Sequence, residues 1–250
     1  MEKNTLNSVN IDSVYKFNNR YLIYSLAKRK SNKLFIVFSA LSPKPGYNLM
    51  SYYALQKQLQ GNVLHIMDNF GAHGCYLLST SKSIEIQNAV LSLIKEVINT
   101  NNISKDNIYF LGTSKGGTMA ILYSLMLGYG TAIVGEPQIK LGNFLFRQNW
   151  ENIEEARSLI YVMTGKINIA DKEYLNALIE DIFKNYGDKF KGKIHLLVGK
   201  KTGYFENHIV YFNAYCKQYN IKTDKVDIIL LDISTHAEVI EPFLEQVLKL

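Results

Sequence analysis

The chain alternates short apolar runs with longer segments of helical spacing. Residues 33–40 and 62–68 are nearly unbroken apolar stretches, and 108–113, 131–138 (stopped by Pro137), 193–199 and 227–232 read as further strands. Continuous apolar runs of this length predict strands buried on both faces. Between them, Ile84, Ile86, Val90, Leu91, Leu93, Ile94, Val97 and Ile98 recur at helical spacing, and so do the apolar positions after residue 114. A further helix is expected near 206–219, and a last one from about 238. Strands that alternate with helices predict a mostly parallel sheet covered on both faces. Residues 20–27 read as one more strand, and 1–20 as an edge hairpin or a loose start. The block from about 141 to 190 is helical and irregular, and is expected to form a cap over the sheet's carboxyl edge, where sites lie in such folds. No repeat divides the chain, so one domain over 1–250 is expected.

The segment Ile108-Tyr109-Phe110-Leu111-Gly112-Thr113-Ser114-Lys115-Gly116-Gly117 turns this pattern into chemistry. An apolar strand runs into Gly-x-Ser-x-Gly and then into a buried helix, which is the context of a nucleophile elbow. Ser114 is the expected nucleophile. Glycines at 112 and 116 remove side chains that would collide at the bend. The fold class expected is therefore the α/β-hydrolase fold with a helical cap insertion.

A serine hydroxyl needs a base within reach. In this fold the base follows the last strand, and His236 stands there, four residues beyond Asp232. His65 and His195 fall inside apolar strands and read as core residues. His208 falls on a predicted helix with a surface role, and His73 follows a strand end. The acid is expected on the loop after the preceding strand, where Glu206 is the sole carboxylate in 199–208; Asp232 and Glu238 are the alternatives. The oxyanion hole is expected to use the N–H of Lys115 and one near Ala40.

Composition adds boundaries. The formal charge of +6 suits an anionic partner, yet the lysines are scattered, with short clusters at 28–30 and 189–193. No zinc-finger spacing or basic helix supports nucleic-acid binding. No run is long enough to span a bilayer, and the first residues lack a basic stretch followed by an apolar one. Two distant cysteines, Cys75 and Cys216, predict free thiols, no metal site and a cytoplasmic location. Seventeen tyrosines and twelve phenylalanines are available to fill the core.

The elbow from Leu111 to Gly117, taken with Gly135-Glu136-Pro137-Gln138-Ile139-Lys140-Leu141-Gly142, resembles the α/β-hydrolase-type O-acetyltransferases of bacterial capsule polysaccharide clusters. The similarity runs from about residue 33 to the C-terminus. It implies Ser114 as nucleophile, His236 as base, acetyl-CoA as co-substrate with no bound cofactor, and an anionic capsule-type polysaccharide as acceptor. A homo-oligomer is compatible with it. The chain departs from the family where an aspartate would follow Gly199-Lys200, since Lys201 and Thr202 stand there, and where Ser234 and Thr235 replace glycines before the histidine. An acyl esterase and a non-catalytic scaffold are the competing functions.

Overall fold

In the computed structural model, residues 8–42 and 44–250 are described. The expected features of residues 1–7, and Pro43 in the loop after the strand at 33–40, lie outside them. Eight strands form: β1 (Ser8–Phe17), β2 (Arg20–Lys28), β3 (Leu34–Phe38), β4 (Asn62–Ile66), β5 (Ile108–Thr113), β6 (Thr131–Gly135), β7 (Lys193–Gly199) and β8 (Val226–Leu231). They make one sheet in the order β1-β2-β4-β3-β5-β6-β7-β8. The β1–β2 hairpin and the β2–β4 pair are antiparallel, and every other pair is parallel.

The helices are α1 (Leu55–Gln58), α2 (Glu85–Thr100), α3 (Lys115–Leu127), α4 (Leu141–Leu145), α5 (Glu154–Thr164), α6 (Lys172–Tyr186), α7 (Val210–Gln218) and α8 (Ile240–Val247). Strand alternation sorts the core into two layers. Leu34, Ile36 and Phe38 of β3 join the larger cluster, with residues from α2, α3, α5, α6 and α7. Phe35 and Val37 face the other way, toward Leu55, Leu59, Phe243 and Val247 on the α1 and α8 side. This two-residue period is why β3, Leu34–Phe38, is apolar throughout.

Within 141–190, helix α6 packs along α3 and α4. Its buried stripe of Leu175, Leu178, Ile179, Ile182 and Phe183 belongs to the larger core. That part of the block is thus a layer over the sheet. No helix among the described residues is long and apolar enough to cross a membrane.

Two histidines in strands meet different fates. His65 is buried as expected, with Nδ1 against the Gln56 amide at 3.4 Å and Nε2 against the Tyr52 carbonyl at 3.2 Å. His195 is not a core residue: half-exposed, it meets Asp227 of the edge strand β8 at 3.3 Å.

Burial lowers the His65 imidazole to about 4. The unfolded chain takes up a proton near pH 6.5 that the folded chain refuses, so stability falls as pH drops from 6.5 toward 4. At pH 5 the loss from this residue is roughly 2 kcal/mol. Urea unfolding at pH 7.5 and pH 5 reads it: the acid-induced loss should shrink by about that amount in His65→Gln.

Candidate active site

Ser114 sits where β5 meets α3, with φ 54° and ψ −126°. A non-glycine residue in that region is strained and persists only when its surroundings hold it. Two contacts do so: Ser114 N–H donates to the Gly135 carbonyl at 2.8 Å, and the Ser114 carbonyl accepts from Thr118 N–H at 3.0 Å. The flanking glycines are sterically required. A Cβ on Gly112 would lie 2.4 Å from the Gly116 carbonyl carbon, and one on Gly116 would lie 2.4 Å from the Phe38 carbonyl oxygen. The elbow inferred from the sequence is therefore present in shape.

The hydroxyl of Ser114 accepts a hydrogen bond from Gln138 Nε2 at 2.9 Å. Gln138 is fully buried. Its backbone is clamped to α3 by Thr118, whose hydroxyl accepts from Gln138 N–H at 2.8 Å and donates to its carbonyl at 3.0 Å. Tyr76 donates to Gln138 Oε1 at 3.4 Å, which fixes the amide with its N–H groups toward the serine. The same Nε2 donates to the Tyr204 hydroxyl at 3.1 Å. Burial raises the Tyr204 phenol, which also interacts with Ser114. The Tyr204 ring lies parallel on the His236 imidazole, centroids 4.5 Å apart. Serine and histidine thus meet at one edge through Gln138 and Tyr204, without a direct hydrogen bond between them.

The carboxylate against His236 is Glu136, at the end of β6, with Oε2 to Nδ1 at 2.5 Å. Glu206 is exposed in the turn that opens α7 and does not take the position expected for it. Asp232 instead pairs with Lys201 at 2.9 Å, and Glu238 caps its own turn through Ser234 N–H at 2.8 Å. Glu136 is 0% exposed. Its Oε1 accepts from Gly199 N–H at 3.0 Å and from the Thr202 hydroxyl, so two neutral donors and the imidazole share its charge. Thr202 occupies the stretch in which an aspartate was expected. A carboxylate only accepts, so His236 Nδ1 carries the proton and Nε2 is left as a base, half-open to solvent at 38% side-chain exposure. Glu136 also has a positive φ, 44°, before Pro137.

Lys115 opens α3, so its N–H has no carbonyl within the helix to meet. Its side chain, 2% exposed, pairs with Asp68, 1% exposed, at 2.9 Å and donates to the His73 carbonyl at 3.0 Å. This buried pair ties the loop after β4 beneath the elbow. Gly74 (φ 87°) is essential there, because a Cβ would come within 2.3 Å of Asp68 Oδ2. The Ala40 N–H, expected in the oxyanion hole, is committed to Ser51 Oγ at 2.9 Å, because the chain after β3 folds back on itself. His208 is not at the surface: it is buried behind Tyr204, and its Nδ1 accepts from Ile139 N–H at 3.3 Å and Lys140 N–H at 3.4 Å. Burial, then the nearby His236, lower it to about 4. Cys75 and Cys216 are both buried and free. Among the described residues no group of His, Cys, Asp or Glu could hold a metal ion.

Glu136 and Gln138 were both visible in sequence as parts of the segment 135–142. The signal that could have found them is that segment's place directly after a parallel strand, at the carboxyl edge shared with the elbow.

No protein-family model matches the chain, and no match was found among curated proteins. Solved structures do match. The capsule O-acetyltransferase of Neisseria meningitidis serogroup A is 21% identical at a TM-score of 0.72, covering 96% of this chain and 99% of that one. A mutant of that enzyme in complex with CoA is 20% identical at 0.71, covering 99% and 97%. A substrate-bound fluorophosphonate-binding serine hydrolase of Staphylococcus aureus is 13% identical at 0.63, covering 96% of each chain. Together with the sheet order, these neighbours identify the architecture as the α/β-hydrolase fold.

Proposed function

We propose that the chain is a serine-dependent O-acetyltransferase that takes acetyl from acetyl-CoA and gives it to a hydroxyl of a capsule-type polysaccharide. The carrying observation is that Ser114, on its strained elbow, and the His236–Glu136 pair stand at one carboxyl edge, joined through Gln138 and Tyr204. The fold's likeness to a capsule O-acetyltransferase, one structure of which holds CoA, adds the donor and acceptor classes.

In this reading Ser114 Oγ attacks the thioester carbonyl as His236 Nε2 takes the hydroxyl proton. The imidazolium is stabilised by Glu136 across Nδ1. The oxyanion is met by Lys115 N–H and by Gln138 Nε2, whose bond to Ser114 Oγ is given up as that oxygen becomes the weaker acceptor of an ester, while the Ala40 N–H stays on Ser51. Collapse expels the CoA thiolate, which receives the proton from His236. A sugar hydroxyl then attacks acetyl-Ser114, its proton passes to Nε2 and returns to Ser114 Oγ. For the first proton transfer the Tyr204 ring must shift enough for Nε2 to reach the serine, a tightening expected when substrate fills the site.

The half-open imidazole favours a second reading, in which water takes the acetyl group and the chain is an esterase. The two separate on acceptor dependence. Steady release of acetate from acetyl-CoA or p-nitrophenyl acetate, unaffected by added glycan, supports the esterase.

Incubation with acetyl-CoA should add one acetyl group, about 42 Da, to the intact protein and none to Ser114→Ala. An unlabelled wild-type protein that also releases no CoA in the presence of glycan rejects the transferase. Glu136→Gln should lower kcat/KM by about 10³-fold, by analogy with serine-protease triads, while Glu206→Gln stays within about two-fold. The opposite ranking restores Glu206 as the acid. Gln138→Leu should lower kcat by about 10²-fold with little change in KM, the mark of a donor used in the transition state. Equal effects on binding and turnover would assign Gln138 to substrate binding instead.

A further inference from the structure

At the opposite end of the sheet from Ser114 lies a groove of about 830 Å³. It is walled by the last turn of α3, the end of α6 and the first residues of β5, β6 and β7. Four lysines line it: Lys105, Lys189, Lys191 and Lys193. All four are exposed, and none forms an ion pair with a carboxylate among the described residues. Lys189 to Lys193 is one of the two short basic clusters noted in the sequence. Folding brings it beside Lys105, from a different part of the chain.

The groove is built in advance. Lys191 N–H donates to the Gly128 carbonyl and Lys193 N–H to the Gly130 carbonyl, each at 2.9 Å. Its floor is bare backbone packed too closely for side chains: a Cβ on Gly192 would lie 2.2 Å from the Gly130 carbonyl oxygen, and one on Gly130 would lie 2.7 Å from the Phe110 ring. Half-buried Tyr129 and Tyr186 stand in the wall, and neither hydroxyl has a hydrogen-bond partner among the described residues. Lys105 Nζ is held 5.1 Å from the Tyr129 ring centroid. The backbone frame of the groove is thus set before anything binds.

We propose that this groove binds an anionic glycan chain, as a docking site remote from the chemistry. Tyr186, and Tyr129 on the face that Lys105 does not cover, suit sugar rings, their hydroxyls suit sugar hydroxyls, and ammonium groups without a carboxylate partner suit carboxylates or phosphodiesters along the polymer. Asp106, also in the lining, offers an acceptor for sugar hydroxyls and repels a densely charged polyphosphate. No arginine lines the groove, so the forked recognition of phosphate and base edges common in nucleic-acid sites is missing. The six-residue β5 separates the two ends by about 20 Å, so a polymer held here keeps neighbouring sugars near the catalytic edge and raises their effective concentration. The purpose of the groove rests on the polysaccharide reading above, but binding is measured without catalysis.

The test uses full-length protein with end-labelled hyaluronan decasaccharide, a phosphodiester-linked N-acetylhexosamine oligomer, neutral dextran of equal length and a polyuridine 15-mer, read by fluorescence anisotropy. At least one anionic glycan should bind, with salt-sensitive affinity and more tightly than dextran. The Lys189→Glu/Lys191→Glu double variant should bind it at least about ten-fold more weakly, and the matching double arginine variant should recover most of the affinity. Tyr129→Ala should weaken binding by about three-fold or more. The Ser114→Ala variant should bind as the wild type does, and the lysine variants should turn over p-nitrophenyl acetate normally and unfold at the wild-type temperature. The proposal is overturned if neither anionic glycan binds more tightly than dextran, if the glutamate variant binds unchanged, or if polyuridine displaces the glycan from the groove. Glycan binding by a wild-type protein that acetyl-CoA leaves unlabelled, and that releases no CoA in the presence of glycan, would reject the transferase and leave the groove standing.

Discussion

A carboxylate with no solvent access holds the carboxyl edge together. Glu136 accepts from the Gly199 N–H at the end of β7, from the Thr202 hydroxyl in the loop beyond it, and from His236 after β8. A buried charge without such partners would be costly enough to protonate or to unfold its surroundings, so the three donors are conditions of the fold as well as of the site. Because they come from separate strand ends, one side chain sets how the last two loops approach the elbow. The positive φ of Glu136 is the local cost of aiming that carboxylate inward.

A second buried ion pair plays the matching part on the other side of the serine. Lys115 turns beneath the elbow to Asp68, and the glycine at 74 lets the loop after β4 approach both groups closely. Ser114 is thereby gripped from two directions, with β6 holding its N–H and Thr118 its carbonyl. Strain at a nucleophile survives only in such an over-determined setting. Thr118 also anchors Gln138, so the helix that carries the elbow orients the amide that meets the serine hydroxyl.

Tyr204 gives this edge its character. Its ring covers one face of the His236 imidazole while its hydroxyl shares the Gln138 amide with Ser114. Behind it, His208 is kept neutral by burial and uses its lone pair to hold the backbone at Ile139 and Lys140. The stacked tyrosine thus stands between the His236 imidazole and the Ser114 hydroxyl. The lysine groove at the far end of the sheet lies outside this network.

Local pattern was enough for much of this. Two-faced apolar runs determined the parallel strands, the Gly-x-Ser-x-Gly bend between strand and helix determined the elbow at Ser114, and position after the last strand picked out His236. These are properties of neighbouring residues, and neighbouring residues carry them in the sequence. The carboxylate that meets His236 was different: Glu136 and His236 are separated by 100 positions, and only the pairing of β6, β7 and β8 brings them together. The same holds for the Ala40 N–H, taken by Ser51, and for the exposed Glu206, whose nearness to the histidine in the expected loop order carried no information on where its side chain points. Hydrogen-bond partners at strand ends are chosen by sheet order and register, and those exist only once the chain has folded.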